Sequence, residues 1–187
     1  MGGVISFEEC AVARLRDRLG AAESANEDLL AFARGHSGAT ASIQAAVLAL
    51  IDADGLDAMF ETVTNQWRTI LRLDHVALAL VADGQGFLVH AGGVETIEPR
   101  IIDRAIARLD RVTLRTVNRG HPLFGHFAWH IRSEAMLVLP AEAPLPYGLL
   151  LLGQESEACL DARHGTQLLG FLGASLGAML RRWLTDL

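Results

Sequence analysis

Residues 75–90 read HVALALVADGQGFLVH, and this stretch decides the fold. The run His75–Ala82 is rich in β-branched residues and leucine, and the next four residues, Asp-Gly-Gln-Gly, are turn formers. Residues 87–91 then return to an extended apolar pattern. Two apolar runs separated by a short glycine-containing turn predict a β-hairpin. We therefore expect an antiparallel sheet to begin at His75.

Helix and strand patterns on either side of the hairpin define the fold class. Three more segments have strand character, namely residues 112–117, 135–140 and 147–153. Apolar residues at helical spacing predict helices over residues 40–53, 56–71 and 99–109, and from about residue 161 onwards. This order predicts an α+β fold, with an antiparallel sheet of about five to six strands and helices packed mainly on one face.

A coiled-coil pattern precedes the sheet. Its positions follow one another at alternating intervals of three and four residues: Val12, Leu15, Leu19, Ala22, Asn26, Leu29 and Ala33. A buried asparagine in such a seam fixes register and strand number. We divide the chain into a long N-terminal amphipathic or coiled-coil helix, residues 1–38, and a sheet domain, residues 39–187. The other interpretation is an amphipathic helix that folds back on its own domain.

The seam also predicts self-association. The final helix adds small residues four apart, which let another helix or a sheet approach closely. We expect a homodimer whose interface contains Val12, Leu15, Leu19, Asn26, Leu29, Gly173 and Gly177.

The composition excludes several classes of enzyme. The chain has 187 residues, its 16 basic residues are all arginine, and its formal net charge is −6. Without lysine there is no Schiff-base chemistry, no phosphate-binding loop ending in Gly-Lys-Ser/Thr and no kinase lysine. The two cysteines, Cys10 and Cys159, are far apart, and the longest apolar stretch is shorter than a membrane-spanning helix. We expect a cytoplasmic protein that does not contact a membrane.

Four short stretches carry a resemblance to a known family: GLDAMF at 55–60, LDHVAL at 73–78, PLFG at 122–125 and YGLLLLG at 147–153. Their order, after a coiled helix, resembles the GAF domain and more closely a bacterial family of GAF-like proteins known as domain of unknown function 484. The resemblance implies a regulatory or ligand-sensing domain with no established activity. The absence of lysine argues against the cyclic-nucleotide signature of some GAF domains, and Cys159 lies in the wrong place for pigment attachment.

An arginine-rich segment is the clearest functional feature of the sequence. Residues 100–132 contain seven arginines and two aspartates, a local charge of +5 in an acidic chain. Four of the arginines share one flank of the predicted helix and form a candidate surface for an anion or a partner: Arg100, Arg104, Arg108 and Arg111. One interpretation is a solvated helix face. The other is a surface that faces an acidic small molecule or phosphates.

GAF-like domains bind ligands between the sheet and an irregular crossover segment, which here covers residues 118–129. The resemblance therefore implies a small-molecule site formed by Phe87, Arg115, His121, Phe124, His126 and Trp129, with ordinary core packing as the alternative for the aromatic residues. His126 and His130 are four residues apart, but no carboxylate completes a zinc site. We expect no cofactor, no bound metal and no catalytic residues.

Two functions follow from these observations. The first is a non-enzymatic regulatory or sensory protein that binds an unidentified small molecule in the crossover region and acts through homodimerisation. The alternative is a ligand-free adaptor that binds a protein partner, which could be associated with DNA, through its helix and arginine-rich flank. Direct binding to nucleic acid is not expected of a chain with this net charge.

Overall fold

The computed structural model describes residues 20, 23, 24, 37–139, 147–157 and 165–185. The chain divides into two compact units, Met1–Ser37 and Gly38–Leu187. The predicted dimer residues of the first unit lie outside the described residues: Val12, Leu15, Leu19, Asn26 and Leu29.

The second unit contains six strands in one antiparallel sheet. They are β1 (His75–Ala82), β2 (Gln85–His90), β3 (Gly93–Ile97), β4 (Val112–Thr116), β5 (Ser133–Leu139) and β6 (Tyr147–Gln154). The order across the sheet is β3-β2-β1-β6-β5-β4, so β1 and β6 lie at its centre. In the β1–β6 pair, Leu78 lies opposite Leu150. The α+β prediction is confirmed.

The helices are α1 (residues 38–51), α2 (Leu56–Glu61), α3 (Trp67–Leu71), α4 (Pro99–Ile106) and α5 (Thr166–Thr185). A π-helical turn, Thr62–Gln66, joins α2 to α3. Met59, Val63, Trp67 and Leu71 of this segment are buried, and the indole nitrogen of Trp67 donates a 2.9 Å hydrogen bond to the Ala46 carbonyl oxygen of α1. This bond satisfies the polar atom of a fully buried side chain.

Two apolar clusters lie on opposite faces of the sheet because successive strand residues point to opposite sides. On the helix side, Leu78, Leu137 and Leu150 pack with residues of α1, α2, α3 and α5. On the crossover side, Ala77, Ala79 and other sheet residues pack with α4 and the crossover segment. Most helices thus share one face, and the connection from β3 to β4 covers the other.

The structure differs from the sequence-based expectation in three places. Strand β3 was not predicted because four of its five residues are exposed and it has no alternating apolar pattern. Helix α4 ends three residues early, and its last turn continues with short-range bonds such as Leu109 N to Ile106 O at 3.1 Å. The crossover contains a 3₁₀ segment, Pro122–Trp129, interrupted at Gly125 by a φ of 61°.

The close approach of β1 and β6 predicts that Gly148→Ala unfolds the domain. A Cβ at position 148 collides with the Ala79 carbonyl oxygen and lies 2.9 Å from the carbonyl carbon, both of them backbone atoms. We expect the free energy of unfolding to fall by at least about 3 kcal/mol, measured by urea denaturation.

Gly177→Ala is the matched control. Among the described residues, a Cβ at position 177 meets only the Arg181 side chain, at 3.6 Å. Alanine within a helix is favoured over glycine, so this variant should gain up to about 1 kcal/mol. Equal stability of the Gly148→Ala variant and the wild type would contradict the assigned strand pairing.

Candidate ligand-binding site

A cavity of about 330 Å³ lies between the sheet and the crossover segment. We call it the crossover cavity. Strands β1 to β3 supply one wall, the 3₁₀ segment supplies the other, and α3 contributes one side chain. Its lining residues are Arg68, His75, Val76, Ala77, Leu88, His90, Ala91, Glu95, Leu123, Phe124, Gly125, His126 and Phe127.

The crossover cavity combines an apolar wall with polar groups. Leu88, Leu123 and Phe124 are buried and form the apolar part. The Nε atom of Arg68 is buried and has no hydrogen-bond partner among the described residues. Because this atom is closed off from the open space of the cavity, a donation to a ligand would have to come from the rest of the Arg68 guanidinium.

Two histidines at the cavity are held by carboxylates. His75 Nε2 lies 3.0 Å from Glu155 Oε1, and His90 Nε2 lies 3.1 Å from Glu95 Oε1. The hydrogen bond with His75 keeps the pKa of Glu155 below its usual range. The imidazole of His75 also stacks on Phe127, with ring centroids 4.4 Å apart. These contacts fix the orientation of the rings on this side of the cavity.

A second cavity, of about 290 Å³, lies between α4, β4 and the start of the 3₁₀ segment. We call it the arginine cavity. It is lined by Ile101, Arg104, Ala105, Arg108, Leu109, Arg115, His121, Pro122 and Met136. The two cavities share one piece of chain, because His121 and Pro122 line the arginine cavity and the next five residues line the crossover cavity.

A buried carboxylate organises the arginine cavity. The Glu134 side chain is fully buried, and its Oε1 accepts a hydrogen bond from Arg115 Nε at 2.7 Å and lies 2.6 Å from Arg115 Nη2 in an ion pair. Its Oε2 accepts the backbone N–H of His121 at 2.7 Å. A buried charge requires such partners, since the cost of removing it from water is otherwise not offset. Glu134 thus fixes both the Arg115 guanidinium and the start of the 3₁₀ segment.

His121 is held neutral by its surroundings. Burial lowers the pKa of His121, and the nearby Arg115 charge lowers it further, while the Glu134 carboxylate acts in the opposite direction. The backbone N–H of Leu123 donates to His121 Nδ1 at 3.3 Å. Because Nδ1 accepts this bond, the proton of the neutral ring is on Nε2.

The six predicted ligand residues do not form one site. Phe124 and His126 line the crossover cavity, whereas Arg115 and His121 line the arginine cavity. Trp129 is 61% exposed, and the guanidinium carbon of Arg119 lies 3.6 Å from its ring centroid. Phe87 lies on the helix side of β2, because its neighbour Leu88 belongs to the crossover-side cluster.

The predicted arginine surface is also divided. Arg104 and Arg108 line the arginine cavity, Arg100 is exposed, and Arg111 lines a small recess beside α5. The predicted interface residue Gly173 faces the sheet of its own chain, where an added Cβ would lie 3.2 Å from Leu137.

Several site residues were missed by the sequence analysis. The crossover cavity contains four further polar side chains, and the arginine cavity depends on one buried carboxylate: Arg68, His75, His90, Glu95 and Glu134. Among the described residues, no three His, Cys, Asp or Glu side chains are placed to hold a metal ion. Within the same residues, no helix is long and apolar enough to cross a membrane.

The lowered pKa of His121 predicts a pH dependence of stability. The unfolded chain takes up a proton near the ordinary pKa of 6.5 before the folded chain does. This contribution to stability is therefore complete above pH 6.5 and is lost as the pH falls towards the folded-state pKa. We expect His121→Asn, which keeps an acceptor for the Leu123 N–H, to lose less stability than the wild type between about pH 7.5 and pH 5.5.

Urea denaturation at each pH measures this difference. His130→Asn is the matched control, because His130 is exposed and its side chain lines neither cavity. Parallel pH profiles for the wild type and the His121→Asn variant would contradict the assignment.

Solved structures confirm the fold. One is a protein in a far-red-absorbing dark state with bound biliverdin IXa, 15% identical, with a TM-score of 0.52, covering 76% of this chain and 99% of that chain. Another is the GAF domain of a phosphoenolpyruvate-protein phosphotransferase from Coxiella burnetii, 13% identical, with a TM-score of 0.53, covering 78% and 95%. The corresponding Acinetobacter domain is 12% identical, with a TM-score of 0.51, covering 77% and 93%.

The sequence comparisons give the family. No curated protein matches the chain. The family described as "Protein of unknown function, DUF484" matches residues 1–185. The GAF-like fold and this match, which covers nearly the whole sequence, agree with the resemblance seen in the motifs. The chain belongs to the DUF484 family and has the fold of a GAF domain.

Proposed function

We propose that this protein is a non-enzymatic sensor that binds a small molecule in the crossover cavity and transmits its occupancy through a homodimer. The observation that carries the proposal is the cavity itself, about 330 Å³ between the sheet and the crossover. Concave, partly apolar sites with a few polar groups are typical of small-molecule binding. The GAF-like fold is consistent with a sensory or regulatory role.

The lining of the cavity indicates the class of ligand. Leu88, Leu123 and Phe124 would contact an apolar part of the molecule. The guanidinium of Arg68, which lines the cavity, would donate to an acceptor group, best a charged oxygen, because bonds of this kind are stronger than neutral ones. The ligand is therefore a small molecule with an apolar body and an anionic or strongly polar end.

The crossover links the cavity to the rest of the domain. The segment Pro122–Trp129 borders the cavity, and the chain then enters β5 through Ile131, which is fully buried. A ligand that orders this segment would bias the packing of the sheet. Transmission to a second subunit would use the other face, where α1 and α5 carry the exposed apolar residues Leu48, Ile51 and Phe171.

A ligand-free adaptor is the second candidate. The exposed Trp129, stacked with Arg119, and the exposed arginines of α4 favour it. For the adaptor function we would expect the crossover segment to pack against the sheet without a cavity, whereas a sensor requires an open cavity there.

Native mass spectrometry tests the sensor function against the adaptor function. We expect wild-type protein purified under mild conditions to have the mass of a dimer with one small molecule for each subunit. The Ala77→Leu variant should be a dimer without it. Ala77 is buried and lines the cavity, so a larger side chain occupies the space of the ligand.

Ala79→Leu is the matched control. It lies on the same strand and the same face but lines neither cavity. Ala79→Leu should destabilise the domain by about 1–3 kcal/mol through overpacking, while Ala77→Leu fills existing space at little cost. A wild-type dimer with no bound molecule would contradict the sensor function and favour the adaptor, and a bare monomer would contradict both.

A further inference from the structure

The arginine cavity brings three arginines and one histidine from different elements of the fold to one place. Arg104 and Arg108 come from α4 and the turn after it, Arg115 comes from β4, and His121 comes from the crossover. These residues are not adjacent to one another in the sequence, and no strand pairing joins them. Their convergence is produced by the connection that runs across the sheet from β3 to β4.

The cavity has an excess of positive charge that the described residues do not neutralise. Of its three arginines, Arg115 is paired with the buried Glu134 carboxylate. Arg104 and Arg108 are exposed and form no ion pair within the described ranges. The nearest acid on α4, Asp103, accepts a 2.7 Å hydrogen bond from the Tyr147 hydroxyl.

Arg115 is already oriented for a bidentate contact. Its Nε–H donates to Glu134 Oε1 and its Nη2 forms an ion pair with the same oxygen, which leaves the N–H groups of Nη1 for another acceptor. A guanidinium held in this way loses little side-chain entropy when an anion binds. The buried carboxylate therefore holds one edge of the guanidinium in place and leaves the other edge available to an anion.

The remaining lining selects for a small organic molecule over a long polyanion. Met136 is fully buried and Ala105 nearly so, and with Leu109 they form an apolar floor. His121, neutral and protonated on Nε2, adds a donor without further charge. The other two arginines of the predicted surface, Arg100 and Arg111, lie outside the cavity, so the charge is concentrated at one point.

We propose that the arginine cavity is a second binding site, which takes a small organic dianion, either a phosphate monoester or a dicarboxylate. Arg104, Arg108 and Arg115 bind its charged oxygens, and the apolar floor contacts the body of the molecule. Glu134 is a positioning residue for Arg115. This site goes beyond the proposed sensor function, because it is a different cavity with different lining residues.

Isothermal titration of the full-length protein with phenyl phosphate, inorganic phosphate and succinate tests this site, at a fixed ionic strength of about 0.15 M to screen exposed charges. We expect saturable binding of one molecule per subunit. Arg104→Gln combined with Arg108→Gln should weaken it by at least about tenfold, because charge-assisted hydrogen bonds are lost. The relative affinities of phenyl phosphate and succinate distinguish the phosphate source from the carboxylate source.

Arg100→Gln combined with Arg111→Gln is the matched control, with the same change in charge outside the cavity. It should bind within about twofold of the wild type, since a screened distant charge contributes little. Equal weakening by both double variants, or no saturable binding of any probe, would overturn the proposal. A DNA duplex that binds the wild type while the three small probes do not would assign the arginines to a nucleic-acid surface instead.

The crossover-cavity variant separates the two proposals. Ala77→Leu should leave the titration with phenyl phosphate unchanged, and the Arg104 and Arg108 double variant should keep the small molecule detected in the crossover cavity. Loss of phenyl phosphate binding in the Ala77→Leu variant would show that the two cavities are not separate sites.

Discussion

The chain has to pass from one edge of the sheet to the other between β3 and β4, and the rest of the structure depends on this constraint. The two strands lie at opposite ends of the order β3-β2-β1-β6-β5-β4. A connection of this kind must cross a face of the sheet, so it covers one side with α4 and the crossover segment. The remaining helices pack on the other side, and the central strands β1 and β6 are buried on both faces.

Side-chain size on β1 explains why a cavity forms on the crossover side. Its residues alternate between larger side chains towards the helices, such as Leu78 and Leu80, and alanines towards the crossover, Ala77 and Ala79. The helix side is therefore filled by the sheet and helices together. On the crossover side, the small side chain of Ala77 leaves space that the 3₁₀ segment fills only in part, and this space belongs to the crossover cavity. Glu134 then fixes the polar part of the same face.

The sequence predicts the elements that have strong apolar periodicity. It does not predict features that depend on how the strands pair. Strands β1, β2, β5 and β6 have apolar runs bounded by turn residues, so their existence could be read directly. Strand β3 is an exposed edge strand, and its sequence has no buried face to reveal it. Arg72 has a left-handed backbone conformation, with a φ of 54°. The sequence does not predict it, because arginine rarely adopts a positive φ.

The candidate sites show the same limit more sharply. Phe87 was grouped with the ligand residues, but its side is set by alternation with Leu88, which only the strand pairing reveals. The arginine spacing predicted one helix flank, but α4 ends at Ile106, so Arg108 and Arg111 lie beyond the helix, and the meeting of Arg104 with Arg115 requires α4 to cross the sheet. Glu134 and Arg68 had no distinguishing pattern at all, because a buried charge is recognised by its partners in space.

The central claim is that the crossover face is a ligand-binding face, and hydrogen–deuterium exchange tests it most directly. The protein is compared before and after its small molecules are removed by reversible unfolding. The account predicts faster exchange after removal in peptides covering residues 86–97 and 118–132, with no change in the peptide covering β6. Identical exchange in both samples would contradict it.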